Sequence, residues 1–185
     1  MSAREKILER IRQATRISAA APPEQSQHPI WPPVEDLEAT FRREFTDLRG
    51  EIVESLPEFL AGFQKIATDR SALAGIGNCS VREAELGVTQ CECLVARSGS
   101  VVLCCRTAEE RALSVLPPVH LVVARRSQIV LDLGAAFELL RNKYREDWPE
   151  VIAVISGPSR TADIEKVLVL GAHGPKRLAV HFVGG

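Results

Sequence analysis

Residues 151–168 join an apolar run, Val151-Ile-Ala-Val-Ile, to a Gly-Pro turn and then to Ser159-Arg160-Thr161-Ala-Asp163-Ile-Glu165. That order reads as a buried strand, a turn and a capped helix N-terminus. The first turn of a helix carries backbone N–H groups without internal acceptors and the positive end of the macrodipole. Gly157 permits close backbone approach, and Ser159, Arg160 and Thr161 add two hydroxyls and a guanidinium, so a carboxylate or phosphate would be held there. The same residues also have a plainer use. Asp163 and Glu165 already complement the dipole, Ser159 or Thr161 can be the N-cap, and Arg160 can pair with Asp163 or with another subunit. Further on, Gly171-Ala-His173-Gly174-Pro175 reads as a helix stop. His173 in that loop can serve as acid, base or ligand, or can cap helix carbonyls. His120 and His181 interrupt apolar strands and read as satisfied core or edge histidines.

Cysteine is the other chemically capable type. If Ser98-Gly99 is a two-residue turn, Arg97 pairs with Ser100 and Cys93 lies opposite Cys104, with Cys91 on the same face by the period of two. Three thiols on one face could contribute to a cluster or zinc shared at a subunit interface. Cys91-x-Cys93 and Cys104-Cys105 match none of the four-ligand spacings, so no metal or cofactor is expected on this chain alone. The thiols read instead as small buried hydrophobes. Gly75-Ile-Gly77 lacks the third glycine of a dinucleotide fingerprint, and no P-loop, G-x-S-x-G or H-E-x-x-H occurs.

The elements that must position these residues follow from periodicity. Ala3, Ile7, Ile11 and Ala14 form the stripe of an amphipathic basic helix, an arm over 1–17. Residues 18–33 hold five of the eleven prolines and form a linker. The globular domain, 34–185, opens with a helix carrying Val34, Leu37, Phe41, Phe45 and Leu48. Ser55 with Glu58 signals a capping box for a second helix. Apolar runs at Cys91–Ala96, Ser100–Cys105, Val119–Ala124, Val151–Ile155 and Leu178–Val183 read as strands. Helices over 133–144 and 164–168 alternate with them, giving an α/β fold with a largely parallel buried sheet flanked by helices.

Composition narrows the classes. With 23 Lys+Arg against 24 Asp+Glu among 185 residues, the net charge is −1, which argues against nonspecific nucleic-acid binding. No apolar run is long enough to span a membrane. Met1–Arg16 lacks the apolar block of a secretory signal, and the odd count of five cysteines agrees with free thiols, so the expected compartment is the cytoplasm.

Gly87-Val-Thr89, Ser98-Gly-Ser100, Leu116-Pro-Pro-Val-His120, Ser156-Gly-Pro-Ser-Arg-Thr-Ala-Asp-Ile-Glu165 and Leu170-Gly-Ala-His-Gly-Pro175 together resemble the LUD-domain family of lactate utilization protein C (LutC/YkgG). The resemblance covers about residues 84–183. It implies a fold similar to the NagB/RpiA/CoA transferase-like group and a role as accessory subunit, beside iron-sulfur partner proteins, in a cytoplasmic system that oxidises L-lactate. The clusters are expected on the partners, and a homo-oligomer stays open. A ligand-binding or partner-binding role carries over to Ser156, Gly157, Ser159, Arg160, Thr161, Asp163, His173 and Gly174, while no catalytic set transfers. Related sequences tend to show Ala-Glu-Thr-Gly or Ala-Asp-Thr-Gly where this chain has Ala96-Arg97-Ser98-Gly99. Arg97 removes any carboxylate nucleophile there, and creates either a more electropositive pocket or an exposed Arg. The alternative is a stand-alone enzyme of the sugar-phosphate isomerase or acyl-CoA type, with Arg160 clamping an anion and His173 as acid/base.

Overall fold

The computed structural model describes residues 2–15, 31–69, 73, 75–161, 169–170 and 173–184. The chain divides into two compact units, Met1–Pro33 and Val34–Gly185. The first holds α1 (Ala3–Thr15), whose Ile7 and Ile11 are exposed. The linker expected over 18–33 lies outside the described residues except at its end.

The second unit runs α2 (Leu37–Asp47), β1 (Glu51–Val53), α3 (Leu56–Leu60), β2 (Ile66–Thr68), β3 (Leu86–Gln90), β4 (Cys93–Val95) and β5 (Ser100–Cys105). It continues with α4 (Ala108–Leu113), β6 (Val119–Ala124), β7 (Ile129–Val130), α5 (Leu133–Tyr144), β8 (Val151–Ile155), β9 (Arg160–Thr161), β10 (Val169–Leu170) and β11 (Arg177–Phe182). Five strands form a wholly parallel sheet in the order β1-β11-β6-β3-β2. Its strands are buried on both faces, so they read as continuous apolar runs.

The fold is α/β with a mostly parallel central sheet flanked by helices, and the strands divide over two main sheets. β4, β5 and β8 join β7 in a second sheet, β7-β4-β5-β8, in which β4-β5 and β5-β8 are antiparallel. A short connection forces β4 and β5 antiparallel, and the pair builds outward from there. The layers follow from side-chain alternation. Phe59 and Leu60 of α3 cover one face of the parallel sheet. Val122 and Leu178 on its other face meet Leu103 and Ala153 of the second sheet. Ala136 and Leu140 of α5 cover the far face of that second sheet over Cys93 and Val102.

The side-chain caps form at positions other than Ser55, where the sequence signals one. Asp36 and Asp132 accept from the Ala39 and Ala135 N–H groups. Ser55 makes no side-chain cap bond, because Pro57 occupies the first turn and the short α3 is held by its apolar face. A complete capping box occurs instead at Thr107 and Glu110, starting α4. The helix expected over 164–168, and its stop at Gly171, lie outside the described residues.

A candidate functional cleft between the two sheets

A cleft of about 300 Å³ opens between the sheets. His120 and Leu178, the second residues of β6 and β11, contribute from the parallel sheet, and Val151, Ala153 and Ile155 contribute from β8. Open α/β sheets usually hold ligands at the carboxyl ends of their strands. Here β11 ends at Phe182, whose ring lies 6.2 Å from that of Phe41 in α2 and under the Arg42 and Arg126 guanidiniums, and the cleft takes the amino ends.

Three segments form its remaining wall, and hydrogen bonds fix them to one another. Ser159 donates its N–H to the Pro175 carbonyl (2.9 Å), tying the turn after β8 to the loop before β11. Lys176 and Arg177 both donate to the Pro118 carbonyl, tying that loop to the α4–β6 connection. Gly87 of β3, in register with His120, is the position that admits α4: a Cβ there would fall on the Leu113 carbonyl oxygen. The end of α4 thereby brings Arg111, Ser114 and Val115 to the cleft.

The lining is mainly apolar, with a few polar groups set by depth. Arg111 and His173 are exposed, Ser159 and Gly174 are half-buried, and Ser114 is buried with its hydroxyl donating to the Arg111 carbonyl (2.9 Å). His120 is fully buried, and its Nε2 lies 2.9 Å from the Thr89 hydroxyl. Burial without a charged partner pushes the His120 imidazole down to about 4, so it is neutral at ordinary pH. Its Nδ1 is buried and has no hydrogen-bond partner among the described residues.

Of the residues singled out from sequence, the fold brings Gly157, Ser159, His173 and Gly174 to the cleft. Ser156 is exposed, and its hydroxyl bonds that of Ser100 (2.7 Å), which in turn bonds Ser98 (2.8 Å). Arg160 is exposed and outside the lining. Asp163 lies outside the described residues.

Arg160 and Thr161 form β9, antiparallel to Val169–Leu170 of β10, so neither lies within a helical turn. The helix expected to follow them lies outside the described residues. Gly157 does permit a close approach, but by the protein itself: at φ +79° a Cβ would meet the Leu48 carbonyl oxygen at 2.5 Å. Arg97 sits half-buried in the 3-10 turn Ala96–Ser98, donates its N–H to the Leu131 carbonyl and does not line the cleft. His181 is the satisfied histidine expected, bonded through Nδ1 to the Val53 carbonyl (2.8 Å). His120 departs from that expectation, and Arg111 and Ser114 were not singled out at all. The signal for all three was the Thr107/Glu110 box, which places a helix end directly before the strand that carries His120.

The cysteines also settle differently. The 3-10 turn and Gly99 lengthen the β4–β5 connection to four residues, so Cys93 pairs with Val102 rather than Cys104. Cys93 and Cys104 still share a face under α5, but a bend at Glu92 carries Cys91 to the inter-sheet core beside Cys105. Burial raises the thiols, Cys93 and Cys104 to about 11. Among the described residues no three His, Cys, Asp or Glu side chains come together to hold a metal.

Fold and cleft together define an α/β protein with a mainly apolar cleft at the strand amino ends. The chain belongs to the LUD-domain family, whose model matches residues 79–183 and so includes every residue that lines the cleft. Among curated relatives, lactate utilization protein C 1 of Bacillus mycoides is 39% identical over 53% of this chain and 43% of its own length. The uncharacterized protein YkgG of Escherichia coli is 40% identical over 59% and 48%. Lactate utilization protein C of Deinococcus radiodurans is 36% identical over 59% and 51%. The chain thus spans about half the length of the curated relatives it matches. In fold it is similar to the crystal structure of a DUF162 family protein from Deinococcus radiodurans, with TM-score 0.55 and 19% identity over 80% of this chain and 96% of that one.

Proposed function

We propose that this protein serves lactate utilization as an accessory subunit that binds a small carboxylate and works beside iron-sulfur partner proteins in the cytoplasm. The clusters belong to those partners in this reading, since Cys91 and Cys105 are buried in one core, Cys93 is buried in another with Cys104 packed against it, and Cys79 packs against a third. The observation that carries the reading is the cleft inside the family-matched region, apolar in lining and fitted at its exposed side with Arg111 and His173. A guanidinium and a half-buried hydroxyl lining one cleft, here Arg111 and Ser159, suit a carboxylate group. Ser156 and β9 flank the cleft-wall residues 157–159, and the exposed Arg160 is the residue through which this segment would meet a partner. No helix among the described residues is long and apolar enough to cross a membrane.

Anaerobic affinity purification of the tagged chain from its lactate-grown host tests the reading. Stoichiometric iron-sulfur proteins in the eluate, reduced by Arg160→Ala, are the expected result. Recovery of the chain alone after mild cross-linking, with turnover of a small acid or sugar phosphate by the isolated protein, would establish a stand-alone enzyme instead.

A further inference from the structure

Among the edge strands of the two main sheets, β8 is unlike the others. β1 and β2 have three residues each and β7 has two, whereas β8 has five. It pairs with β5 on one side and is the last strand of its sheet among the described residues. Val151-Ile-Ala-Val-Ile155 contains no charge, glycine or proline, none of the five residues is fully buried, and Val154 is 41% exposed. Its register with β5 is unbroken from end to end. Soluble proteins blunt such an edge with lysine, proline or a bulge, and β8 has none of these, which is the composition of a strand that is covered by another strand. Which of its backbone groups are open follows from the ladder. Val102 of β5 accepts at its carbonyl from the Glu92 N–H on the β4 side (2.8 Å). The N–H and C=O of one residue in an antiparallel pair point the same way, and the direction alternates along the strand. Val101, Leu103 and Cys105 therefore bond toward Ile155, Ala153 and Val151, and Ile152 and Val154 turn their N–H and C=O groups outward from the sheet.

We propose that β8 is the interface between two copies of this chain, paired antiparallel about a two-fold axis at Ala153. In that register Ile152 lies opposite Val154 of the second copy, and Val154 opposite Ile152 of the second copy. Each of these pairs exchanges two hydrogen bonds, so every outward N–H and C=O of Ile152 and Val154 finds a partner. Ala153 meets its own copy on the axis, where its methyl suits the close approach of a pair without hydrogen bonds. Val151 faces Ile155 of the second copy, so aliphatic side chains oppose one another on both faces of the ribbon. Centring the pair one residue earlier would set Glu150 against Val154, and one residue later Ser156 against Ile152, which selects Ala153. The two four-stranded sheets then run on as one. Val151, Ala153 and Ile155 line the cleft, so the same residues of the second copy continue its apolar wall across the axis and set the two clefts side by side. The pairing is independent of what the cleft binds.

Sedimentation velocity of the full chain over concentrations from about 1 to 200 µM tests it, and because one strand pair is a small interface, a dimer with Kd on the order of 10 µM is expected. Val154→Pro removes an outward N–H and no bond to β5, and should leave the chain monomeric with its native circular dichroism. Val154→Thr keeps the backbone donor and the branched shape, and should dimerise as the wild type does. Val154→Lys puts a charge against Ile152 of the second copy and should weaken the dimer at least about tenfold. Ala153→Cys should form an intermolecular disulfide under mild oxidation that the wild type lacks, since opposed residues on the axis lie within disulfide reach. A wild-type chain that stays monomeric throughout, or Val154→Lys dimerising as tightly as the wild type, overturns the interface. A wild-type dimer that Ala153→Cys fails to cross-link overturns the axis at Ala153.

Discussion

The amino-end cleft and the β4–β5 hairpin under α5 both carry reactive side chains, and they differ in what surrounds them: ion pairs and hydrogen bonds under α5, a mainly apolar lining in the cleft. Under α5, Glu92 accepts from the Tyr144 hydroxyl and from Lys143 Nζ, both at 2.6 Å, and Arg106 closes the cluster on Asp147 at 2.7 Å. Burial raises the Tyr144 hydroxyl and the Cys93 and Cys104 thiols, which keeps them protonated and inert. The cleft has fewer such residues, yet a buried nitrogen there is left unmet. Reactive residue types are thus a poor guide to a site. A buried polar atom without a partner in the wall of a cleft is a better one.

The comparison can be broken most severely by filling the space that makes the cleft. Gly87→Val would drive α4 off β3, and a loss of about 3 kcal/mol in chemical denaturation is expected, together with loss of acid binding. Acid should act on the same region. The unfolded His120 has an ordinary value near 6.5 and the folded one about 4, so below about pH 6.5 the unfolded chain binds a proton that the folded chain refuses. Stability is therefore expected to fall between about pH 6.5 and 4, by up to roughly 3 kcal/mol at the lower end. His120→Asn should flatten that slope in denaturant midpoints measured across the range.

Smaller changes sharpen the contrast from the hairpin side. Tyr144→Phe removes one of the two bonds to a carboxylate whose side chain is only 15% exposed, and should cost about 1.5 kcal/mol with acid affinity unchanged. Thiol labelling of the native chain at pH 8 should run at least about tenfold slower at Cys93 and Cys104 than in denaturant. Ser156→Ala loses one hydroxyl bond to Ser100 and should cost about 1 kcal/mol or less by thermal unfolding.

Much of the frame was legible in the sequence because local periodicity fixes it. The apolar stripes of α2 and α5 and the runs of β5, β6, β8 and β11 all fold as their spacing indicates. Their grouping into two sheets depends on which strands pair, and pairing is decided by connections and tertiary packing. The hairpin register shows the limit clearly. Ser98-Gly99 resembles a two-residue turn, but Gly99 at φ +55° terminates a 3-10 turn packed on the backbone of Glu44 and Phe45, and this shifts Cys93 by two positions. At the cleft, Gly157, Ser159, His173 and Gly174 were found through one contiguous segment. Arg111, Ser114 and His120 come from elements distant in the chain and meet only because Gly87 lets α4 close on β3. Nothing local distinguishes His120 from His181, and only their bonding partners do.

The most direct test of the central claim is an amide ¹H–¹⁵N titration of the whole chain with pyruvate. Shifts concentrated at Gly157, Ser159, Gly174, Arg111, Ser114 and His120, saturating together and absent in Arg111→Ala, are the predicted result. Saturable shifts centred on the hairpin and α5, or no saturable shifts at all, would contradict it.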